Sequence, residues 1–144
     1  MTNTPEKIVY TARATVTGGR KQGHAVSSDG VLDLQLTAPK ETGGPGTGTN
    51  PEQLFAVGYG ACFQGALGLV AKKDGVDADG SEVEVAIGFG PEGDSFAITA
   101  EITARIPGVD DATAQRLVEA AHEVCPYSKA TRGNVPVSLV GLAA

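Results

Sequence analysis

The stretch NPEQLFAVGYGACFQGALGLVAKKDG, residues 50–75, decides how this 144-residue chain folds. It opens as a helix should. Asn50 suits an N-cap, Pro51 the first helical position and Glu52 the positive end of the helix dipole. From Gln53 to Ala71 no residue is charged, and Lys72, Lys73 and Gly75 mark a C-terminus. A helix apolar all round is expected to be buried. A membrane span is the rival reading on length, but Gln53, Gln64 and the glycines 58, 60, 65 and 68 dilute its hydropathy. The same small residues let another helix approach closely.

Strand patterns lie on both sides of this helix. In Lys7–Thr17, Ile8, Tyr10, Ala12, Ala14 and Val16 alternate with Val9, Thr11, Arg13, Thr15 and Thr17, the period of a strand, which Gly18-Gly19 breaks. Gly23–Ser27 and Val31–Thr37 read as two more strands joined by Ser28-Asp29-Gly30, and residues 41–50 read as a loop. Beyond the helix, Val83, Val85, Ile87 and Phe89 keep the period of two, with Glu82 and Glu84 on the other face. Alternation resumes from Phe96 to Ile106, with Pro91-Glu92-Gly93-Asp94 as the hairpin turn. Asp110 or Asp111 caps a second helix whose stripe is Ala114, Leu117, Val118 and Ala121, and Pro126 stops it. Val135, Val137 and Leu139 form a last strand. The order βββ-α-ββ-α-β implies an α+β fold, mostly antiparallel, in one domain over 1–144.

Composition narrows the function. Apolar residues make up 41% and charged residues 19%, which supports a packed core. The net charge of −6, with no cluster of Lys and Arg, argues against nucleic acid as a partner. The first 20 residues lack the pattern of a secretory signal, so the expected location is cytoplasmic, without membrane attachment. Two cysteines are too few for a disulfide-built scaffold.

Those cysteines are the residues most able to carry chemistry. Cys62 lies in GYGACFQG (58–65), mid-helix; Cys125 lies beside Pro126, where the chain turns. By position alone each reads as a small buried hydrophobe, and they are too far apart to be a CxxC pair. His24 and His122 could join them around a metal, but no pair has close ligand spacing, so no metal is expected. The glycine-rich loop before Pro51 lacks the Gly-Lys-Ser/Thr ending of a phosphate loop, and no G-x-S-x-G elbow is present.

Three stretches, YTARATVTGGRKQG (10–23), NPEQLFAVGYGACF (50–63) and CPYSKATRGNVPVSL (125–139), resemble the organic hydroperoxide resistance branch of the OsmC/Ohr superfamily. PGVDDATAQRLVEAAHEVCPYS (107–128) extends the likeness, which runs nearly end to end. Val57, Gly60 and Lys129 are small departures. The resemblance implies an intertwined homodimer and a cofactor-free peroxidase. In it Cys62 is the peroxidatic cysteine, Arg20 and Glu52 form its supporting network, and Cys125 resolves the oxidised product as a Cys62–Cys125 disulfide. It implies an organic hydroperoxide as substrate and dihydrolipoyl groups, on a carrier protein or as dihydrolipoamide, as reductant. The chemistry is coherent: the thiolate attacks the O–O bond, a guanidinium favours the thiolate, and a carboxylate fixes the guanidinium by a bidentate pair. Leu54, Phe55, Phe63 and Tyr127 flank the two cysteines and are expected to form an apolar rim for bulky peroxides.

Glu52 and Cys62 stand ten residues apart on one expected helix, about 15 Å along its axis. They share a site only if the helix is broken or if Glu52 comes from a second subunit, and the absence of an internal proline favours the second. Two other functions fit the same residues: an OsmC-type peroxidase of broader peroxide preference, and a cysteine-pair redox sensor or binding dimer without turnover.

Overall fold

The structure, a computed structural model, describes residues 2–144. The chain divides into two compact units, Met1–Leu54 and Phe55–Ala144.

The first unit is built on an antiparallel sheet of β1 (Ala14–Thr17), β2 (Gln22–Ser27) and β3 (Asp33–Thr37), in that order. The strand expected from Lys7 begins only at Ala14. β1 pairs with β2 from Thr17↔His24 to Ala14↔Ser27 and β2 ends at Ser27, so the alternation of Ile8, Val9 and Tyr10 meets no partner strand and these side chains stay exposed. The third strand likewise starts two residues late. Val31 and Leu32 belong to the turn: Val31 N–H donates to the Asp29 carboxylate and Leu32 N–H to Ser27 Oγ. The Ser27 hydroxyl and the Val31 N–H together hold the Asp29 carboxyl below its usual range. A single 3-10 turn at Lys40–Thr42 and a parallel bridge between Leu36 and Thr49 return the chain to Asn50. There the Asn50 side chain accepts from Gln53 N–H at 2.8 Å, the cap its sequence predicts.

α1 (Pro51–Lys73) runs unbroken, with Pro51 at its first position and Lys72 and Lys73 in its last turn. It is long and apolar enough to cross a membrane. One face, Tyr59, Phe63, Ala66, Leu67 and Ala71, is instead buried in the core of the second unit. Burial all round does not follow: Val57 and Leu69 are 71% and 66% exposed, and Ala61 and Gly65 between them are exposed too. The sequence pattern marks apolar residues, not how many faces one chain can cover.

In the second unit, β4 (Glu82–Glu92) pairs antiparallel with β5 (Ser95–Ile106), and β5 pairs parallel with β6 (Val137–Ala143). The hairpin is tighter than PEGD suggests. Glu92 pairs with Ser95, so only Gly93 and Asp94 turn, with Gly93 at φ +55°. The parallel β6 follows from the crossover formed by α2 (Asp111–Val124) and α3 (Pro126–Thr131). Asp110 caps α2 through Thr113 N–H. α3 was not foreseen: Pro126 does end α2, but it also occupies the first position of the next helix, where its missing N–H costs nothing. The alternate residues Ala100, Ile102, Ala104 and Ile106 of β5 meet the predicted α2 stripe and the buried face of α1 in one core.

α2 packs on β6 backbone to backbone. A Cβ on Gly141 would lie 2.4 Å from the carbonyl carbon and oxygen of Ala114. Because no flexible side chain can yield there, Gly141→Ala should destabilise the protein by about 2–3 kcal/mol. Urea unfolding checks this; a loss below about half a kcal/mol would mean that the helix slides freely.

Candidate active site

Cys62 and Cys125 come together. Cys62 sits half-buried on α1, and Cys125 is fully buried at the corner between α2 and α3. The corner is fixed locally: Cys125 N–H donates to Ala121 O, closing α2, while its own ψ of 125° turns the chain into Pro126. The two sulfurs are 3.6 Å apart, both thiols free, with Cys125 Sγ donating to Cys62 Sγ. Burial is the main effect on Cys62 and pushes its thiol up. The Tyr127 backbone N–H, which donates to the sulfur, opposes this, while the Cys125 thiol adds to the rise.

Arg20 and Glu52 also meet, within the first unit. Arg20 Nη2 lies 3.1 Å from Glu52 Oε1 and Nη1 lies 3.5 Å from Oε2, a two-point pair. The tight β1–β2 turn places the arginine. Gly18 adopts φ +77°, and a Cβ there would strike Gln22 O at 2.3 Å; one on Gly23 would strike Gly19 O at 2.0 Å. Only glycine at both positions lets the turn close so tightly. Glu52 is placed by the capped start of α1.

The residues expected at an apolar rim divide. Phe55 and Tyr127 stand together with ring centres 6.0 Å apart, both near Tyr59. Phe63 is fully enclosed in the core, where it packs α1, and Leu54 is half-buried at the start of α1. His24 pairs with Asp33 on the exposed β2–β3 sheet. Among the described residues, no group of three or more His, Cys, Asp or Glu side chains is placed to hold a metal.

A chain of polar side chains joins α1 to the two helices that flank Cys125, and the sequence does not reveal it. The Tyr59 hydroxyl lies 2.9 Å from Ser128 Oγ and 3.1 Å from Thr131 Oγ1, and Ser128 Oγ lies 2.8 Å from His122 Nδ1. Arg132 donates to the His122 carbonyl at 2.6 Å. Tyr59 and Ser128 are 69 residues apart, so no local pattern joins them; the one clue was two hydroxyl residues after a proline able to start a helix.

Burial lowers the His122 pKa, the Arg132 guanidinium lowers it further, and Glu123 opposes them. The unfolded chain, with an ordinary histidine near 6.5, therefore binds more protons than the folded one as pH falls below about 6.5. Stability should be complete above that value and decline as pH drops through it. Urea midpoints at pH 8 and pH 5.5 test this. His122→Gln should reduce the difference between them, and an unchanged difference would exclude His122 as its source.

The sequence pattern of the OsmC-like protein family matches residues 44–140. The chain is 53% identical over 137 residues to an organic hydroperoxide resistance protein of Xanthomonas axonopodis pv. citri, covering 94% of this chain and 96% of that one. It is 49% identical over 133 residues to the organic hydroperoxide resistance protein OhrB of Bacillus subtilis, covering 91% and 96%. The crystal structure of OhrB superposes with a TM-score of 0.83 at 48% identity, covering 95% of this chain and all of that one. A structure of a putative organic hydroperoxide resistance protein from Vibrio cholerae, with captopril bound in one of its active sites, gives a TM-score of 0.87 at 44% identity and 99% coverage of both chains.

Proposed function

This chain belongs to the OsmC/Ohr family, in its organic hydroperoxide resistance branch, and on that premise we propose that it is a cysteine-based peroxidase that reduces organic hydroperoxides, fatty-acid hydroperoxides included, to alcohols. The observation that carries the reading is the 3.6 Å approach of a half-buried Cys62 to a fully buried Cys125. The accessible sulfur meets the peroxide and the enclosed one waits behind it.

The Cys62 thiolate attacks the distal oxygen of ROOH. The O–O bond breaks, the Cys62 sulfur keeps the OH as a sulfenic acid, and RO⁻ takes up a proton and leaves as ROH. The Cys125 sulfur then attacks the Cys62 sulfur. Its thiol proton and the departing hydroxide form water, and the Cys62–Cys125 disulfide remains. Dihydrolipoyl groups, free or on a carrier protein, restore both thiols and become the cyclic disulfide. Burial works against the thiolate at Cys62, and the Tyr127 N–H favours it. Arg20, aimed by Glu52, is assigned the rest: it favours the thiolate and donates to the oxygen on which charge develops.

α1 runs unbroken from Glu52 to Cys62, so the two lie about 15 Å apart along it. In this proposal the Arg20–Glu52 pair therefore serves the thiols of a second copy of the chain, in a homodimer. The exposed apolar face of α1, with Val57, Ala61, Gly65 and Leu69, supports such a partner. Phe55 and Tyr127 offer apolar surface to the organic group. The whole cycle needs no bound cofactor and is assigned to the cytoplasm.

The test is peroxide consumption by the purified protein with dihydrolipoamide, comparing cumene hydroperoxide with hydrogen peroxide. At least tenfold faster loss of cumene hydroperoxide is expected. Equal rates would indicate the broader OsmC-type preference, and a single oxidation without turnover would indicate a redox sensor.

A further inference from the structure

Cys125 is held from both sides by residues that contain no sulfur. His122 lies one helical turn before it and Ser128 three residues after it. The Ser128 Oγ to His122 Nδ1 contact of 2.8 Å closes the chain across the corner on which the thiol sits. Tyr59 lies one turn before Cys62 on α1, and its hydroxyl reaches the same Ser128 oxygen at 2.9 Å. One chain of hydrogen bonds thus passes within a turn of each sulfur. Its polar atoms are all satisfied: Thr131 Oγ1 donates to the Ser128 carbonyl and also lies 3.1 Å from the Tyr59 oxygen. Tyr59 and Ser128 are completely enclosed, so water cannot replace either partner.

The Cys125 thiol and the Tyr127 N–H also tie α1 to the corner, but both end on the Cys62 sulfur and change when it reacts, whereas the hydroxyl pair does not. The rings of Phe55, Tyr59 and Tyr127 meet in tilted and edge contacts, which tolerate sliding. A hydrogen bond between buried hydroxyls does not. We propose that Tyr59 and Ser128 are positioning residues for disulfide formation: their buried hydroxyl pair clamps α1 to the α2–α3 corner and so holds Cys125 against Cys62. The same clamp starts α3 where the Tyr127 N–H meets the Cys62 sulfur. Its catalytic meaning rests on the peroxidase reading above; the geometric claim does not.

A test without peroxide separates the two. Reduced protein is treated with 4,4′-dithiodipyridine, which first forms a mixed disulfide on the accessible Cys62 and releases one thiopyridone. The Cys125 sulfur then attacks Cys62, the mixed S–S bond breaks, and the second thiopyridone leaves with the Cys125 proton. The second phase reports how well the corner presents Cys125. Tyr59→Phe and Ser128→Ala should each slow it about five- to tenfold, the effect of one lost buried hydrogen bond, and leave the first phase within about twofold. The double variant should be slowed by less than the product of the two single effects, because the singles share the Tyr59–Ser128 contact while each also removes one of its own, to Thr131 and to His122. Ile106→Ala, which opens the core on β5 and so on none of the helices this chain joins, serves as the stability control. It should lower the melting temperature and leave the second phase unchanged.

An unchanged second phase in Tyr59→Phe and Ser128→Ala would overturn the proposal. So would an equal slowing in Ile106→Ala, which would make the effect one of general stability. If the wild type closes its disulfide quickly but consumes no hydroperoxide, the peroxidase reading fails and the clamp stands. If the wild type is an active peroxidase, the variants should also divert more Cys62 sulfenic acid to sulfinic acid, read by mass spectrometry at rising cumene hydroperoxide.

Discussion

Cys62→Ser should consume no hydroperoxide above the uncatalysed rate, a loss of at least about a thousandfold, whereas Cys125→Ser should keep its first turnover and then fail. The asymmetry follows from exposure. Cys62 is the half-buried thiol and Cys125 is closed off entirely, so a bulky peroxide can reach one sulfur and not the other. A serine at 62 has the geometry but no accessible anion near neutral pH. A serine at 125 leaves the first oxidation intact and removes the only thiol of this chain that can condense with the sulfenic acid. With excess cumene hydroperoxide and no added thiol, Cys125→Ser should therefore consume about two equivalents, one for each of the two oxygens gained on Cys62. Mass spectrometry and a peroxide assay on one sample decide it. Turnover retained in Cys62→Ser, or a first turnover lost in Cys125→Ser, would exchange the roles or remove them.

Much of this was legible in the sequence, and what was not has identifiable causes. The β5 alternation from Phe96 to Ile106 and the stripe at 114, 117, 118 and 121 carried the second unit's core, because each pattern had an apolar surface waiting for it. The same period of two at Ile8–Thr11 formed no strand: alternation says which residues share a face, not whether a neighbour exists to pair with. Pro126 gave its own ambiguity, ending one helix and beginning the next. Cys62, Cys125, Arg20 and Glu52 stood out through the family resemblance, and the structure brings them together in two pairs. Tyr59 and Ser128 did not stand out, and His122 did so only as a poorly spaced metal-ligand candidate. A hydroxyl in an apolar helix looks like any other core tyrosine until its partner, 69 residues away, is placed beside it.

A mixed dimer should recover activity that neither of its parents has. Arg20→Ala alone should lower peroxide consumption by about 10²–10³-fold, the usual effect of removing a donor from developing negative charge, and Cys62→Ser alone abolishes it. The two variants damage different members of the site. If Arg20 and Glu52 serve the neighbouring chain, a protomer carrying Cys62→Ser still offers an intact Arg20–Glu52 pair, and a protomer carrying Arg20→Ala still offers intact thiols. Unfolding the two together and refolding them should then yield about a quarter of wild-type activity, since random pairing makes half the dimers mixed and each mixed dimer holds one complete site of two. If the pair serves its own chain, no combination restores a site and the mixture stays at the level of its parents. The uninterrupted helix favours recovery. Glu52 is fixed at the first turn of α1 and Cys62 is fixed ten residues further along the same rod, and a glutamate side chain cannot span the resulting gap of about 15 Å. Arg20 is bound to Glu52 at both of its terminal nitrogens and must follow it. A mixture without recovery would require that the helix break or bend before the chemistry, and it would remove the second copy from the mechanism.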